Sequence, residues 1–172
     1  MRSRSAAIGG NIVGVVALPG TVAGLIPWWI SRWQLPGAEP LWIPAQVVGA
    51  VLIAAGLYVL LSAVARFALA LGTLAPVAPT ERLVVEGFHR FVRNPMYVGV
   101  IAAILGQALL FGSLGVAVYG IVVWVFFSLF VRWYEEPTLV RQFGGEYETY
   151  RRNVPAWIPR VRPWEPAAQP DG

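Results

Sequence analysis

The chain contains no cysteine. That excludes disulfides, thiolate metal sites and a cysteine nucleophile. Lysine is absent as well: all 13 basic residues are arginine. The single histidine, His89, is too few for a histidine metal cluster, so no metal site is expected. Charge is scarce, at 13 % of residues, against about 25 % in soluble domains. What fills the chain instead is apolar: 57 % of residues are hydrophobic, eight are tryptophan, and the mean hydropathy is +0.62. This composition is that of an integral membrane protein, read as one domain over 1–164. The net charge of +4 fits contact with an anionic cytoplasmic leaflet and membrane lipids rather than with nucleic acid.

Four apolar runs stand out, at about 8–30, 41–71, 96–111 and 114–133. A span needs about 20 apolar residues at 1.5 Å each, so the third is short. The first run follows Arg2 and Arg4, but it is long for a signal peptide and no small-x-small site closes it. It is therefore read as a span, kinked at Pro19-Gly20. Gly10-x-x-x-Gly14 and Gly20-x-x-x-Gly24 offer small faces for close helix contact. Trp28, Trp29, Trp33 and Trp42 form an aromatic belt between runs one and two, and Gly112-Ser113 is an uncharged tight hairpin. Most arginines lie at the other ends, with Arg66 near the end of run two. The positive-inside rule places both termini and the 72–94 loop in the cytoplasm of an inner-membrane protein. In that loop Pro79-Thr80-Glu81 reads as a helix or turn start, and Leu83-Val84-Val85 as an apolar piece that docks on the bundle. Pro137 is expected to end run four and open an amphipathic helix over 138–152, striped by Leu139, Phe143, Tyr147 and Tyr150, with a Glu148–Arg152 pair. The Pro-rich segment 154–160, with its Trp and Arg, suits an interface. A disordered tail is expected over 165–172. The expected fold is all-α: a bundle of about four transmembrane helices plus a C-terminal cytoplasmic amphipathic helix.

The chemistry concentrates where polar sequence meets these spans. In Gly87–Gly99, Asn94 is a favoured N-cap and Pro95 a favoured first helical residue. A helix start there presents free N–H groups to an anionic ligand group, with Arg90 and Arg93 beside it. Equally, Asn-Pro can simply start a span with the arginines in headgroups. Glu135 and Glu136 sit at the cytoplasmic end of run four. There they oppose the helix dipole, at about 0.3–1 kcal/mol each. Ionisable residues at membrane depth usually mark function, and a cationic ligand would offset the penalty. The plain alternative is an ion pair with Arg132 or Arg90. His89 is either solvated or stacks on a ligand. Tyr97 and Tyr147 are either interface aromatics or ligand contacts, and Tyr97 lies one turn inside Asn94.

Leu83-Val84, Gly87-x-x-Arg90-x-Val92-Arg93-Asn94-Pro95-x-Tyr97-x-Gly99, Glu135-Glu136-Pro137-x-Leu139, Phe143-Gly144-x-x-Tyr147-x-x-Tyr150 and Val154-Pro155 occur in order. This set resembles the isoprenylcysteine carboxyl methyltransferase family and the related phospholipid N-methyltransferases, over about residues 66–160. The resemblance implies S-adenosylmethionine-dependent methyl transfer to a carboxylate, amine or other nucleophile of a lipid-like acceptor. It implies a cytoplasmic cofactor pocket in which Leu83 and Val84 give backbone contacts, Asn94, Pro95 and Tyr97 form the turn, and Glu135 holds the cofactor. It also implies that Arg132, the candidate catalytic residue, lies near the substrate, though about one residue out of register. Read beside the cofactor's charges, the helix start at Asn94 with Arg90 or Arg93 suits its carboxylate, Glu135 and Glu136 its ammonium or ribose, and His89 the pocket wall. The family often has His at the position of Asn94 and Tyr at that of His89. Asn cannot titrate near pH 7, so no proton relay carries over. A nicotinamide-dependent membrane reductase and a non-catalytic protein of the same fold are the alternatives. No stretch specifies an oligomeric state.

Overall fold

A computed structural model describes residues 18–36, 42–71, 83 and 85–165, the side chains of 66–71 excepted. Gly10-x-x-x-Gly14, the Arg66 side chain, Glu81, Val84 and residues 166–172 lie outside that description. The described residues are helical, with no strand among them.

Helix α1 covers 18–31 and contains a π turn at Thr21–Leu25, where the Ile26 N–H reaches back to the Thr21 carbonyl. The irregularity seen in the described part of this helix lies just before Pro27. Proline has no N–H, so nearby carbonyls lose their helical partner, and lipid offers no substitute. Two side chains from later helices supply one. The Tyr119 hydroxyl donates to the Val22 carbonyl at 3.0 Å, and the buried Gln107 Nε2 donates to the Ala23 carbonyl at 2.6 Å. Trp33 Nε1 donates to the Gln107 amide oxygen at 3.1 Å. Trp28, Trp29, Trp33 and Trp42 are exposed, as an aromatic belt requires.

Helices α2 (Ile43–Leu71) and α3 (Pro95–Leu110) form the most extensive interface. They meet at two glycine pairs. A Cβ on Gly49 would lie 2.6 Å from the Gly106 carbonyl oxygen, and one on Gly56 would lie 2.6 Å from that of Gly99. On each helix the glycines are two turns apart, so they share a face and let the backbones touch. Among the described residues, nothing lies within 4 Å of a Cβ on Gly20 or Gly24. Gly112 (φ +59°) and Ser113 make the expected hairpin, with the Ser113 hydroxyl accepting from the Val116 N–H. The buried core is Leu60, Val100, Ile104, Ala108, Val116 and Val123.

Helix α4 (Leu114–Phe130) does not stop near Trp133. It continues through a second π turn, Val131–Glu135, into α5 (Glu136–Phe143). The Glu136 N–H reaches the Val131 carbonyl, and the Thr138 hydroxyl donates to the Tyr134 carbonyl at 2.7 Å. Pro137 is absorbed as Pro27 is. Leu114–Phe143 and Ile43–Ala65 are the two described helices long and apolar enough to cross a membrane; α3 is shorter. The single helix expected over 138–152 is two helices, α5 and α6 (Gly145–Asn153), broken at Gly144 (φ +52°, ψ −127°). That conformation excludes a Cβ. The apolar stripe survives the break: Tyr147, Tyr150 and Val154 pack with Leu83, Val85, Leu139, Phe143 and Trp164. Glu148 and Arg152 form no ion pair; both stay exposed.

Candidate active site

A 3-10 turn, Gly87–Arg90, leads through Val92 and Arg93 into α3. Pro95 opens the helix as expected, but the Asn94 side chain does not cap it. Its Nδ2 donates to the Ala156 carbonyl at 3.2 Å. The reason is a neighbour that local sequence does not show. Residues 155–165 run beside 90–94 as a strap and need donors and acceptors of their own. The Arg93 N–H donates to the Pro155 carbonyl, the Arg160 N–H to that of Phe91, and the Trp164 N–H to that of Arg90, each at 2.9 Å. Arg90 returns a bond from Nε to the Trp164 carbonyl and pairs with Glu165 at 2.8 Å. Glu165, expected in a disordered tail, is thus tied to the 3-10 turn.

A partly open cavity lies where the 3-10 turn and the start of α3 meet the π turn Val131–Glu135, α5 and α6. Its walls are Leu83, His89, Arg93, Asn94, Val131, Glu135, Leu139, Phe143, Tyr147 and Tyr150. Consecutive carboxylates point to different partners. Glu136 pairs with Arg93 and, at 3.6 Å, with Arg151. The side chains of Arg93 and Glu136 are only 11 % and 12 % exposed, so this is a nearly dry ion pair. Glu135 faces the cavity, has no ion-pair partner among the described residues, and accepts a hydrogen bond from the Tyr97 hydroxyl at 3.1 Å. Tyr97 is held for this by stacking on Phe127, with ring centroids 4.5 Å apart. The expected pairing of these glutamates with Arg132 or Arg90 is corrected: α5 carries Glu136 to Arg93, while Arg90 is engaged by the strap and Arg132 is exposed.

Aromatic hydroxyls tie the far wall to the turn. Tyr147 accepts from Arg93 Nη1 at 3.3 Å, and Tyr150 donates to the His89 carbonyl at 2.7 Å. Burial pushes both tyrosines' pKa values up; the Arg93 hydrogen bond and charge oppose this at Tyr147. Burial also pushes His89 down to about 4, against a smaller opposite effect of the Glu86 backbone, so the imidazole is neutral at pH 7. Two buried nitrogens in the wall, His89 Nδ1 and Arg93 Nε, meet no hydrogen-bond partner among the described residues.

Of the residues singled out from sequence, Leu83, His89, Arg93, Asn94 and Glu135 line the cavity. Tyr97 and Glu136 stand directly behind it, bonded to Glu135 and Arg93. Pro95 is buried at the helix start, Arg132 lies on the exposed face away from the wall, and Val84 is outside the described residues. Val131, Leu139, Phe143, Tyr147 and Tyr150 complete the wall without having been assigned to it. For Leu139, Phe143, Tyr147 and Tyr150 the signal was the amphipathic stripe, in which only Tyr147 had been weighed as a ligand contact; Val131 lies outside it.

The family model for phospholipid methyltransferases matches residues 44–146. The chain belongs to this family. Among curated proteins it is similar to the protein-S-isoprenylcysteine O-methyltransferase of Schizosaccharomyces pombe, at 40 % identity over 80 residues, covering 46 % of this chain and 34 % of that protein. It is 34 % identical over 82 residues to protein-S-isoprenylcysteine O-methyltransferase B of Arabidopsis thaliana, covering 47 % of this chain and 41 % of that one. With the Mus musculus enzyme of the same name it shares 34 % identity over 84 residues, 48 % of this chain and 29 % of the other. The chain thus spans well under half the length of these relatives.

Proposed function

We propose that the protein is an S-adenosylmethionine-dependent methyltransferase that modifies a nucleophile on a lipid-like acceptor at the cytoplasmic face of a membrane. One observation carries the reading: Glu135 presents a carboxylate to a cavity and has no ion-pair partner among the described residues. A buried carboxylate without an opposite charge is costly unless a cation arrives. The cofactor's ammonium and sulfonium are such cations. The remaining wall fits the same molecule, with Leu83, Val131, Leu139 and Phe143 for its adenosine and Arg93 for its carboxylate. The names of the curated relatives support the same activity.

S-adenosylmethionine supplies a methyl carbon already activated by its sulfonium, so the protein needs alignment and dryness more than an acid or base. In this reading Leu83, Val84, His89, Arg93, Asn94, Pro95, Tyr97, Glu135 and Glu136 hold the cofactor. Tyr97 orients Glu135, and Glu136 holds Arg93. Arg132, on the exposed face, is assigned to the acceptor side. The apolar groove of Leu52, Val98, Ile101, Ala102, Leu105, Trp124 and Trp157 supports an acceptor with a hydrocarbon tail. The arginine bias supports a single domain of four spans, with both termini and the cavity on the cytoplasmic side.

The test is label transfer from methyl-tritiated S-adenosylmethionine, using purified protein in lipid nanodiscs. N-acetyl-S-farnesylcysteine and a total membrane lipid extract serve as acceptors. The expected result is label in the organic phase, abolished by Glu135→Gln, with cofactor affinity reduced at least tenfold in that variant. Absence of both transfer and cofactor binding in the wild-type protein overturns the proposal.

A further inference from the structure

The strap carries two large apolar side chains that the described residues leave uncovered: Ile158 is 79 % exposed and Val161 97 %. They do not belong to a loose end. The Arg160 and Trp164 N–H groups on either side of Val161 are bonded to the Phe91 and Arg90 carbonyls. Pro155, Pro159 and Pro163 punctuate the same stretch. Proline holds φ at about −65°, which leaves few rearrangements that would turn the two side chains inward.

The position of the strap says what covers them. Trp157, next to Ile158, shares an apolar groove with Val98, Ile101 and Leu105 of α3, and its ring meets that of Trp124 on α4 edge-on, with centroids 6.4 Å apart. Val98 and Leu105 follow Pro95 by three and ten residues, so at 1.5 Å per residue the groove runs about 4 to 15 Å into the helix. Trp124 belongs to a helix long and apolar enough to cross a membrane, and Ile121 and Val125 beside it are exposed. The strap is therefore seated on the flank of the spanning bundle, where α3 begins. Its charge selects one kind of leaflet. Arg160 and Arg162 flank Val161, and the strap's one carboxylate, Glu165, is held by Arg90 at 2.8 Å. Arg160 Nη1 serves the Asn153 carbonyl, whereas Arg162 is exposed and has no ion-pair partner among the described residues.

We infer that the strap is a membrane-inserting edge: Ile158 and Val161 enter the acyl boundary of an anionic leaflet, and Arg162 meets its phosphates. Apolar side chains interleaved with arginine are what such a boundary accepts. The inference needs only the membrane placement of the chain, not the methyltransferase reading. The leaflet then helps to hold the strap against the turn that carries Arg93 and Asn94.

The chain has no cysteine, so single cysteines can be spin-labelled without background. Ile158→Cys, Val161→Cys and, as an exposed reference on α6, Glu148→Cys are labelled in the full chain. Each is placed in nanodiscs of phosphatidylcholine, alone or with about a third phosphatidylglycerol. Collision with oxygen, which concentrates in lipid, is compared with collision with a water-soluble nickel chelate. Relative to position 148, labels at 158 and 161 are expected to favour oxygen by about twofold or more, and the preference should grow with phosphatidylglycerol. Val161→Cys combined with Arg162→Gln should keep the oxygen preference and lose its dependence on phosphatidylglycerol. Nickel collision equal to that at 148 puts the strap in water and overturns the inference. So does shielding from both reagents, which means that a protein surface covers the patch. A preference indifferent to phosphatidylglycerol while Arg162 is present overturns the choice of an anionic leaflet.

Discussion

Tyr97 donates to a carboxylate that has no other side-chain partner among the described residues, and its ring is fixed by Phe127. Tyr97→Phe keeps the stacking and removes the bond. A hydrogen bond to a charged group contributes about 1.5–3 kcal/mol, so equilibrium unfolding in mixed micelles should show a loss in that range. Arg93→Gln strands Glu136 beside Arg151 alone. Removing one member of a buried pair costs about 3–5 kcal/mol, and a loss near the lower figure is expected because both side chains keep 11–12 % exposure. His89 governs the acid limb. Its folded-state pKa lies at about 4, below the free value of 6.5, so the unfolded chain takes up the proton first. Stability is therefore intact above pH 6.5 and falls between pH 6.5 and 4, by up to about 3 kcal/mol at 1.36 kcal/mol per unit. His89→Gln should remove that part of the pH dependence, read from melting temperatures across the range.

The helices show which features a sequence can reveal and which it cannot. Long apolar runs, the Gly112 hairpin and the Pro95 helix start depend on neighbours in sequence, and they were legible. The π turns were not. Pro137 looks like a terminator, and it would be one without a widened turn ahead of it and the Thr138 hydroxyl on the Tyr134 carbonyl. Pro27 is tolerated because Gln107 and Tyr119, distant in sequence, cover the carbonyls it leaves bare. The glycine pairs were also missed, since each glycine has meaning only opposite its partner. They yield a direct test: Gly56→Val places branched atoms where even a Cβ would sit 2.6 Å from the Gly99 carbonyl oxygen. Overpacking of this kind costs about 1–3 kcal/mol or more. Gly20→Val, with nothing within 4 Å, should leave the melting temperature nearly unchanged.

At the scale of the whole molecule, the cavity is assembled from parts that no local pattern joins. The sequence marked Arg93, Asn94 and Glu135 individually. It did not show that Glu136 would take Arg93, that Asn94 would serve the strap, or that an amphipathic stripe would become a pocket wall. Those facts depend on the path of α5 and α6 back over the 3-10 turn. Truncation after Val154 should keep the helical content seen by circular dichroism. It should also weaken S-adenosylmethionine binding more than tenfold and open the 86–94 segment to limited proteolysis.

The strap has a consequence for how the protein comes into being. Every described helix precedes residues 155–165 in the chain, yet the turn beneath the pocket is stitched to them by backbone bonds at Arg90, Phe91 and Arg93. During synthesis the helices can enter the bilayer while the pocket remains unfinished. The cavity's floor is completed only once residues 155–165 have emerged from the ribosome, so the helices are inserted before the turn is fastened.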